Sequence, residues 1–288
     1  MPDAEKRPSK LTRRRLLKVA GLSVGAVALG GVIDGLFIEP WWVDLPRPVV
    51  SLPMLPEPWD AVTIAHVTDI HAGRVVKLDY IEKVVRMTLE ASADVVVFTG
   101  DLVTRTDAIT AALGRAIARL RAPLGQFAVL GNHDYWTDAD AVTSLLEDAG
   151  FVMLTSRHVL LERAGRKLCL AGVDDLWEGE QHLDAALAGV DEDVPRVLLC
   201  HNPDYAEVMP AGPRVDLMLC GHTHGGQVKI PFGPRPRLPI VHRKYAAGLN
   251  RGPHCPVYTS RGVGMLAPAV RFNCRPEIPV ITLKRAHA

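Results

Sequence analysis

Net charge is nearly absent from this chain. Its 33 Lys and Arg stand against 32 Asp and Glu, a balance of +1 with neutral histidines, so there is no basic field to wrap a polyanion, and no nucleic-acid partner is expected. An anionic substrate has to be attracted locally. Cysteine is scarce: the five residues are an odd number and form none of the close-spaced pairs of a zinc site or a small disulfide scaffold. Cys169, Cys200 and Cys220 sit in apolar runs and read as buried small hydrophobes. Cys255 and Cys274 lie in loop-like surroundings and could pair in an oxidising compartment. Internal repeats and composition breaks are also missing, and 288 residues of 48% hydrophobic composition suffice for one catalytic domain behind a leader.

Positive charge does collect in one place. Lys6, Arg7, Lys10, Arg13, Arg14, Arg15 and Lys18 precede an uncharged stretch from Val19 to Ile33, which is the layout of a targeting segment. Thr12-Arg13-Arg14-Arg15-Leu16-Leu17-Lys18 resembles the twin-arginine export motif, with Leu16 where Phe is more usual. That resemblance implies the twin-arginine export machinery as a partner and a periplasmic or extracytoplasmic location. Ala26-Val27-Ala28 offers a small-residue cleavage site. The fifteen uncharged residues would span roughly 22 Å as a helix, short of a hydrocarbon core of ~30 Å, and Gly21, Gly25, Gly30 and Gly31 weaken that helix. Residues 1–38 are thus a signal peptide or an N-terminal anchor, with 16–38 as the anchoring part in the second case.

Residues 39–60 read as a proline-rich connector. Its Trp41 and Trp42 suit a membrane–water interface, or else pack the connector onto the domain. From Ala61 to the end, short apolar runs alternate with longer amphipathic ones, the signature of an α/β layered fold over 61–288. Strands are expected at 62–67, 95–99, 127–130, 168–173, 197–200, 217–220, 257–260 and 278–283. Helices are expected at 78–90, 108–121 and 138–148, and a hairpin joins 159–162 to 168–173. The stretch from Gly221 to Leu238, rich in Gly and Pro, is a long loop, and long loops in compact domains are usually functional.

Five of these strands end in the same way, with potential metal ligands directly after the apolar run. They are Thr68-Asp69-Ile70-His71, Gly100-Asp101, Gly131-Asn132-His133-Asp134, His201-Asn202 and Gly221-His222-Thr223-His224. A single Asp-x-His or Gly-Asp is common surface or turn chemistry. Five in order are another matter, because groups just outside the carboxyl ends of strands in an open α/β sheet converge on one crevice.

The series Asp69-x-His71, Gly100-Asp101, Gly131-Asn132-His133-Asp134, His201 and Gly221-His222-x-His224 resembles the full signature of the calcineurin-like metallophosphoesterase superfamily. Ile38-Glu39-Pro40, Cys200-His201-Asn202-Pro203-Asp204, Gly225-Gly226-Gln227 and the ending Arg261-Gly262 through Arg275-Pro276-Glu277 resemble a bacterial cell-envelope subgroup, the YaeI/YkuE-like phosphodiesterases. The likeness runs from about Ile38 to Leu283. It implies a four-layer α/β/β/α sandwich of two mixed sheets and a site for two divalent metal ions. Asp69, His71 and His224 would hold one, Asn132, His201 and His222 the other, and Asp101 would bridge them. His133 would be the general acid, with Asp134 orienting its ring.

The implied activity is phosphodiester hydrolysis by in-line attack of a metal-bridging hydroxide. Two divalent ions, two carboxylates and one hydroxide leave a single positive charge, which suits a diester, though Arg74 could shift the balance toward a monoester. The ligand types suit manganese, iron or zinc. Thr104 stands where relatives with a purple ferric site carry tyrosine, which disfavours a ferric–tyrosinate centre. Cys200 and Cys220, each beside a ligand, are expected to face away from the site. The substrate class is a cell-envelope phosphoester, a lipid or a cell-wall polymer, with a membrane surface as a further partner. Alternatives are a pyrophosphatase acting on a nucleotide-linked lipid precursor such as UDP-2,3-diacylglucosamine, or an inactive phosphate-binding module. Trp177 could stack on a base or sugar, or simply pack.

Overall fold

The computed structural model describes residues 12–234 and 237–286. Lys6, Arg7 and Lys10 of the leader lie outside them. In chain order the elements are α1 (Arg13–Ile33), β1 (Val49–Leu52), β2 (Thr63–Val67), α2 (Leu78–Glu90), β3 (Val95–Thr99), α3 (Ala111–Ile117), β4 (Gln126–Val129), α4 (Asn132–Thr137), α5 (Ala139–Asp148), β5 (Val152–Met153), β6 (Arg157–Arg163), β7 (Arg166–Gly172), α6 (Leu183–Ala186), β8 (Arg196–Leu199), α7 (Tyr205–Val208), β9 (Leu217–Cys220), β10 (Gly248–Arg251), β11 (Pro256–Thr259) and β12 (Val280–Arg285).

Two six-stranded sheets result, ordered β1-β12-β2-β3-β4-β5 and β10-β11-β9-β8-β7-β6. Both are mixed: β12 runs antiparallel to β2, β6 to β7 and β10 to β11, and the other pairings are parallel. The central strands are apolar at nearly every position because both of their faces are covered. In β3, Val95 and Val97 face the opposite sheet while Val96 and Phe98 face the helices; in β8, Val197 and Leu199 face inward and Leu198 outward. A core between the sheets, flanked by two sheet–helix cores, is the four-layer sandwich that the motifs imply.

Local chemistry explains the helix limits. In α2, Tyr80, Ile81, Val84, Val85 and Thr88 form one buried stripe, and Asp79 in the first turn complements the helix dipole. The Thr110 side chain caps α3 by accepting from Leu113 N, and Asp138 caps α5 by accepting from Ala141 N. The expected helix 108–121 is trimmed at both ends. A separate 3-10 turn occupies Thr106–Ala108, and after Ile117 the chain tightens toward Pro123, which bars a continuing helix.

The segment read as a connector is built into the fold. β1 adds parallel to β12 at the sheet edge, where Pro46 and Pro48 have no N–H to give but accept at their carbonyls from Val280 and Thr282. Trp59 is fully buried between the sheets and donates its indole N–H to Arg166 O at 2.9 Å. Trp41 packs edge-on against Tyr80, ring centroids 5.1 Å apart. β1, β5 and β10 escape sequence reading because each is a short edge strand of two to four residues.

α1 corrects the estimate of the leader helix. Its glycines do not break it, and the helical run continues through a π turn and a 3-10 turn to Trp41, 29 residues in all, long and apolar enough to cross a membrane. Leu16, Leu17, Leu22, Val24, Val27, Leu29 and Val32 are all exposed around it, so it is not a core helix, and it meets the domain near its C-terminal end, where Phe272 lies against Gly31.

Candidate metal centre

The parallel strands end at one edge of the sandwich, and the turns after β2, β3, β4, β8 and β9 all open there. These turns are tight and unusual. Asp69, His71, Asp101, His222 and His224 take φ values of 54°, 52°, 59°, 72° and 49°, a left-handed conformation that costs a side-chain-bearing residue energy and that clusters at functional sites. Gly131 is required by crowding: a Cβ there would meet the Asp101 carboxylate and the His201 ring.

The side chains fall into three groups of donors, one of which, His71, Asp101 and His133, joins the other two. Nitrogen and oxygen atoms of Asp69, His71 and His224 lie within 4.8 Å of one another, as do those of Asp101, His201 and His222. Asp101 stands between the groups, its Oδ2 atom 3.4 Å from His71 Nε2 and 3.3 Å from His201 Nε2. Asn132 is buried beside them with an Oδ1 that accepts no hydrogen bond. Buried carboxylates, imidazoles and an unpartnered amide oxygen make a donor set that fits two divalent cations.

Neighbours fix which ring atoms face inward. His201 Nδ1 bonds Thr99 O at 2.6 Å, leaving Nε2 for the cluster; His222 Nε2 bonds Pro239 O at 3.0 Å, leaving Nδ1. Burial holds His71 and His222 at about 3 and His224 well below the usual histidine range, so these rings are neutral, as ligation requires. The buried Arg271 guanidinium, 3.4 Å from His224 Nδ1, reinforces this. Burial pushes Asp69 up to about 7. It opposes ionisation of Asp101 too, but the field of His201, its hydrogen bond and nearby His71 outweigh burial and hold that carboxyl far down. Conversely Asp101, Asp69 and Asp175 outweigh burial at His201 and raise it well above the ordinary value. Without a cation, the Asp101 charge is thus balanced by a proton on His201, which ligation would displace.

One expectation fails here. Asp134 does not orient the His133 ring: its oxygens accept from the backbone N–H groups of Asp101, Leu102, Val103 and Gly131, at 2.8 to 3.3 Å. It therefore shapes the Asp101 turn, while burial and the Asp101 charge push its own pKa up to about 7. The His133 ring is held instead by edge contacts with His71 and Trp136, centroids 4.8 and 4.7 Å apart. Cys255 and Cys274 are both buried free thiols; Cys274 Sγ donates to His224 O, while Cys255 packs in the outer core of the second sheet. Cys200 and Cys220 face that same outer core, away from the ligands, as strand alternation requires.

The site opens into a cavity of about 300 Å³ lined by Asn132, His133, Trp136, Trp177, Gln227 and Arg237 among others. Trp136 and Trp177 lie nearly parallel, 23° apart, with centroids at 6.4 Å. Arg74 is exposed and does not line the cavity; Arg237 supplies the cation at the rim. Sequence reading passed over Trp136, Arg237 and Arg271. Trp136 follows the ligand turn by only four residues, and Arg237 lies in the long loop already marked as functional.

A two-sheet sandwich with carboxylate and imidazole donors gathered at its strand ends defines a metal-dependent phosphoester hydrolase. The family model for calcineurin-like phosphoesterases matches residues 62–226, and the chain belongs to that family. It is 32% identical over 277 residues to the phosphodiesterase YaeI of Escherichia coli (strain K12), covering 95% of this chain and 99% of that one. It is 31% identical over 282 residues to YkuE of Bacillus subtilis (strain 168), an uncharacterized metallophosphoesterase, with 96% and 98% covered. A transmembrane protein with a metallophosphoesterase domain from Danio rerio is 32% identical over 85% of this chain and 57% of its own length.

Proposed function

We propose that the chain is a two-metal phosphodiesterase acting on a cell-envelope phosphodiester, exported by the twin-arginine route and held at the membrane by α1. The observation that carries this reading is the single Asp101 oxygen placed between two donor groups, the arrangement a metal pair needs. Asp69, His71 and His224 would hold one cation, Asn132, His201 and His222 the other, with Asp101 common to both. Bound there, the cations supply charge neutralisation and a water acidic enough to attack at neutral pH.

The protein's own residues do the rest. His133, on the cavity wall beside His71, gives its proton to the departing oxygen. Arg237 at the rim pairs with a non-bridging phosphate oxygen. Asp134 keeps the Asp101 turn in register through four backbone N–H groups, and Gly131 leaves room for that turn. The name of the E. coli relative agrees with diester hydrolysis.

Hydrolysis of bis(p-nitrophenyl) phosphate and of the matching monoester, before and after chelation and with manganese, iron or zinc restored, tests the proposal. Diester turnover that disappears on chelation and returns with metal is expected. Absence of metal-dependent turnover on either ester sinks it.

A further inference from the structure

The loop Ile230–Pro239 connects two places that the catalytic reading leaves separate: the base of α1 and the mouth of the metal crevice. At one end, Lys229 N donates to Phe272 O at 2.8 Å and Val228 bridges Phe272, while the Phe272 ring lies against Gly31 and Gly35 of the leader helix. Pro231 shares a surface cavity with Asp34, Glu39 and Phe272. At the other end, Arg237 and Pro239 line the crevice, and Pro239 O holds His222.

Between these ends the loop turns outward. Gly233 N bonds Ile230 O at 3.0 Å, closing a turn whose tip carries Ile230 half-exposed and Phe232 fully exposed. Phe232 is held at φ 60°, which a bulky residue adopts only against a cost. Phe37, Ile38 and Trp42 at the base of α1 are exposed as well. Lys229 and Arg237 flank this turn, and the sequence between them carries no acid.

From this link between the base of α1 and the crevice mouth we infer that the loop is a membrane-docking wedge, with Ile230 and Phe232 entering the bilayer that α1 spans and Lys229 and Arg237 meeting anionic headgroups. The crevice mouth then faces the headgroup layer, and its substrate is a phosphodiester carried by a membrane lipid, with Arg237 first to meet the phosphate. The lipid assignment rests on the phosphodiesterase reading above; the docking of the loop does not.

The test uses the full chain in nanodiscs containing anionic lipid. Because the five native cysteines are buried, Phe232→Cys introduces one reactive thiol for an environment-sensitive fluorophore. Lys167→Cys, in the β6–β7 hairpin at the opposite end of the sheets, is the control. A label at 232 that is blue-shifted and at least threefold more quenched by nitroxide-bearing lipid than the label at 167 is expected. Equal water exposure at both sites overturns the docking. So does a label at 232 that is shielded but unquenched by the lipid nitroxide, since a protein would then cover the loop. In parallel, Ile230→Asp with Phe232→Asp should lower turnover of a fluorescent lipid phosphodiester in the disc about tenfold and leave bis(p-nitrophenyl) phosphate turnover unchanged. Unchanged lipid turnover overturns the substrate inference. A wild-type protein inactive on both substrates defeats the catalytic reading, while the label still reads the docking.

Discussion

At the scale of single residues, the site separates groups that meet substrate from groups that set the protonation of others. Among the described residues of the ligand turns, His133 is the one left partly exposed on the cavity wall with no side-chain hydrogen bond. Removing it in His133→Ala should cost about 10² to 10⁴ in kcat on an alkyl diester and much less on a nitrophenyl one, whose leaving group needs no proton. Metal content by mass spectrometry should stay at wild-type level; unchanged kcat on the alkyl ester would remove the acid role. His66 is buried one layer down, bonded through Nε2 to Thr99 Oγ1 at 2.7 Å, and burial lowers its pKa to about 3. Its ring is neutral in the native state below pH 6.5, where the unfolded chain's histidine is protonated. The unfolded state therefore binds the extra proton, and stability falls as pH drops from about 6.5 toward 3. The slope is about 1.4 kcal/mol per pH unit for one such group. In metal-free protein, denaturant titrations of His66→Gln should show that much less pH dependence between pH 6 and 4 than wild type. An identical slope would mean that His66 is not neutral in the fold.

Turns and straps, more than helices and strands, determine how well the ligands converge. Gly131→Ala would press a methyl group into the Asp101 carboxylate and the His201 ring, so the expected result is a folded protein by circular dichroism that has lost metal and activity together. Glu39 shows a longer-range dependence. Its buried carboxylate accepts from the backbone N–H groups of Asn273 and Cys274, whose thiol in turn reaches His224 O at 3.3 Å. Glu39→Ala leaves those donors buried without partners, a loss of about 1.5 to 3 kcal/mol. Metal affinity should weaken with it, because the Arg271–Cys274 strap backs His224. Isothermal titration with manganese checks this; unchanged affinity at reduced stability would confine Glu39 to the strap. The base of α1 and the metal centre are thus adjoining pieces of one structure.

For the whole molecule, the decisive feature is the shared core between the sheets, to which residues from Val50 to Leu283 contribute. Trp59→Ala should cost about 3 to 5 kcal/mol in denaturant unfolding while leaving a single transition, because neither sheet has an inner face of its own to fall back on. Two transitions would mean that the sheets unfold separately. The sequence by itself determined the order of strands with donors at their ends, the inward and outward alternation that turns Cys200 and Cys220 away, and the apolar leader, since each depends on residue type and spacing over a few neighbours. Only the tertiary structure decided the rest. It built 39–60 into the sheet through β1 and Trp59, and it left Cys255 and Cys274 as separate buried free thiols. Asp134 went to backbone N–H groups instead of the His133 ring, and the crevice cation became Arg237 instead of Arg74. The physical reason is common to all four: each depends on which distant segments meet, and a buried carboxylate or a proline-bound carbonyl takes whichever partner the packed fold brings within 3 Å.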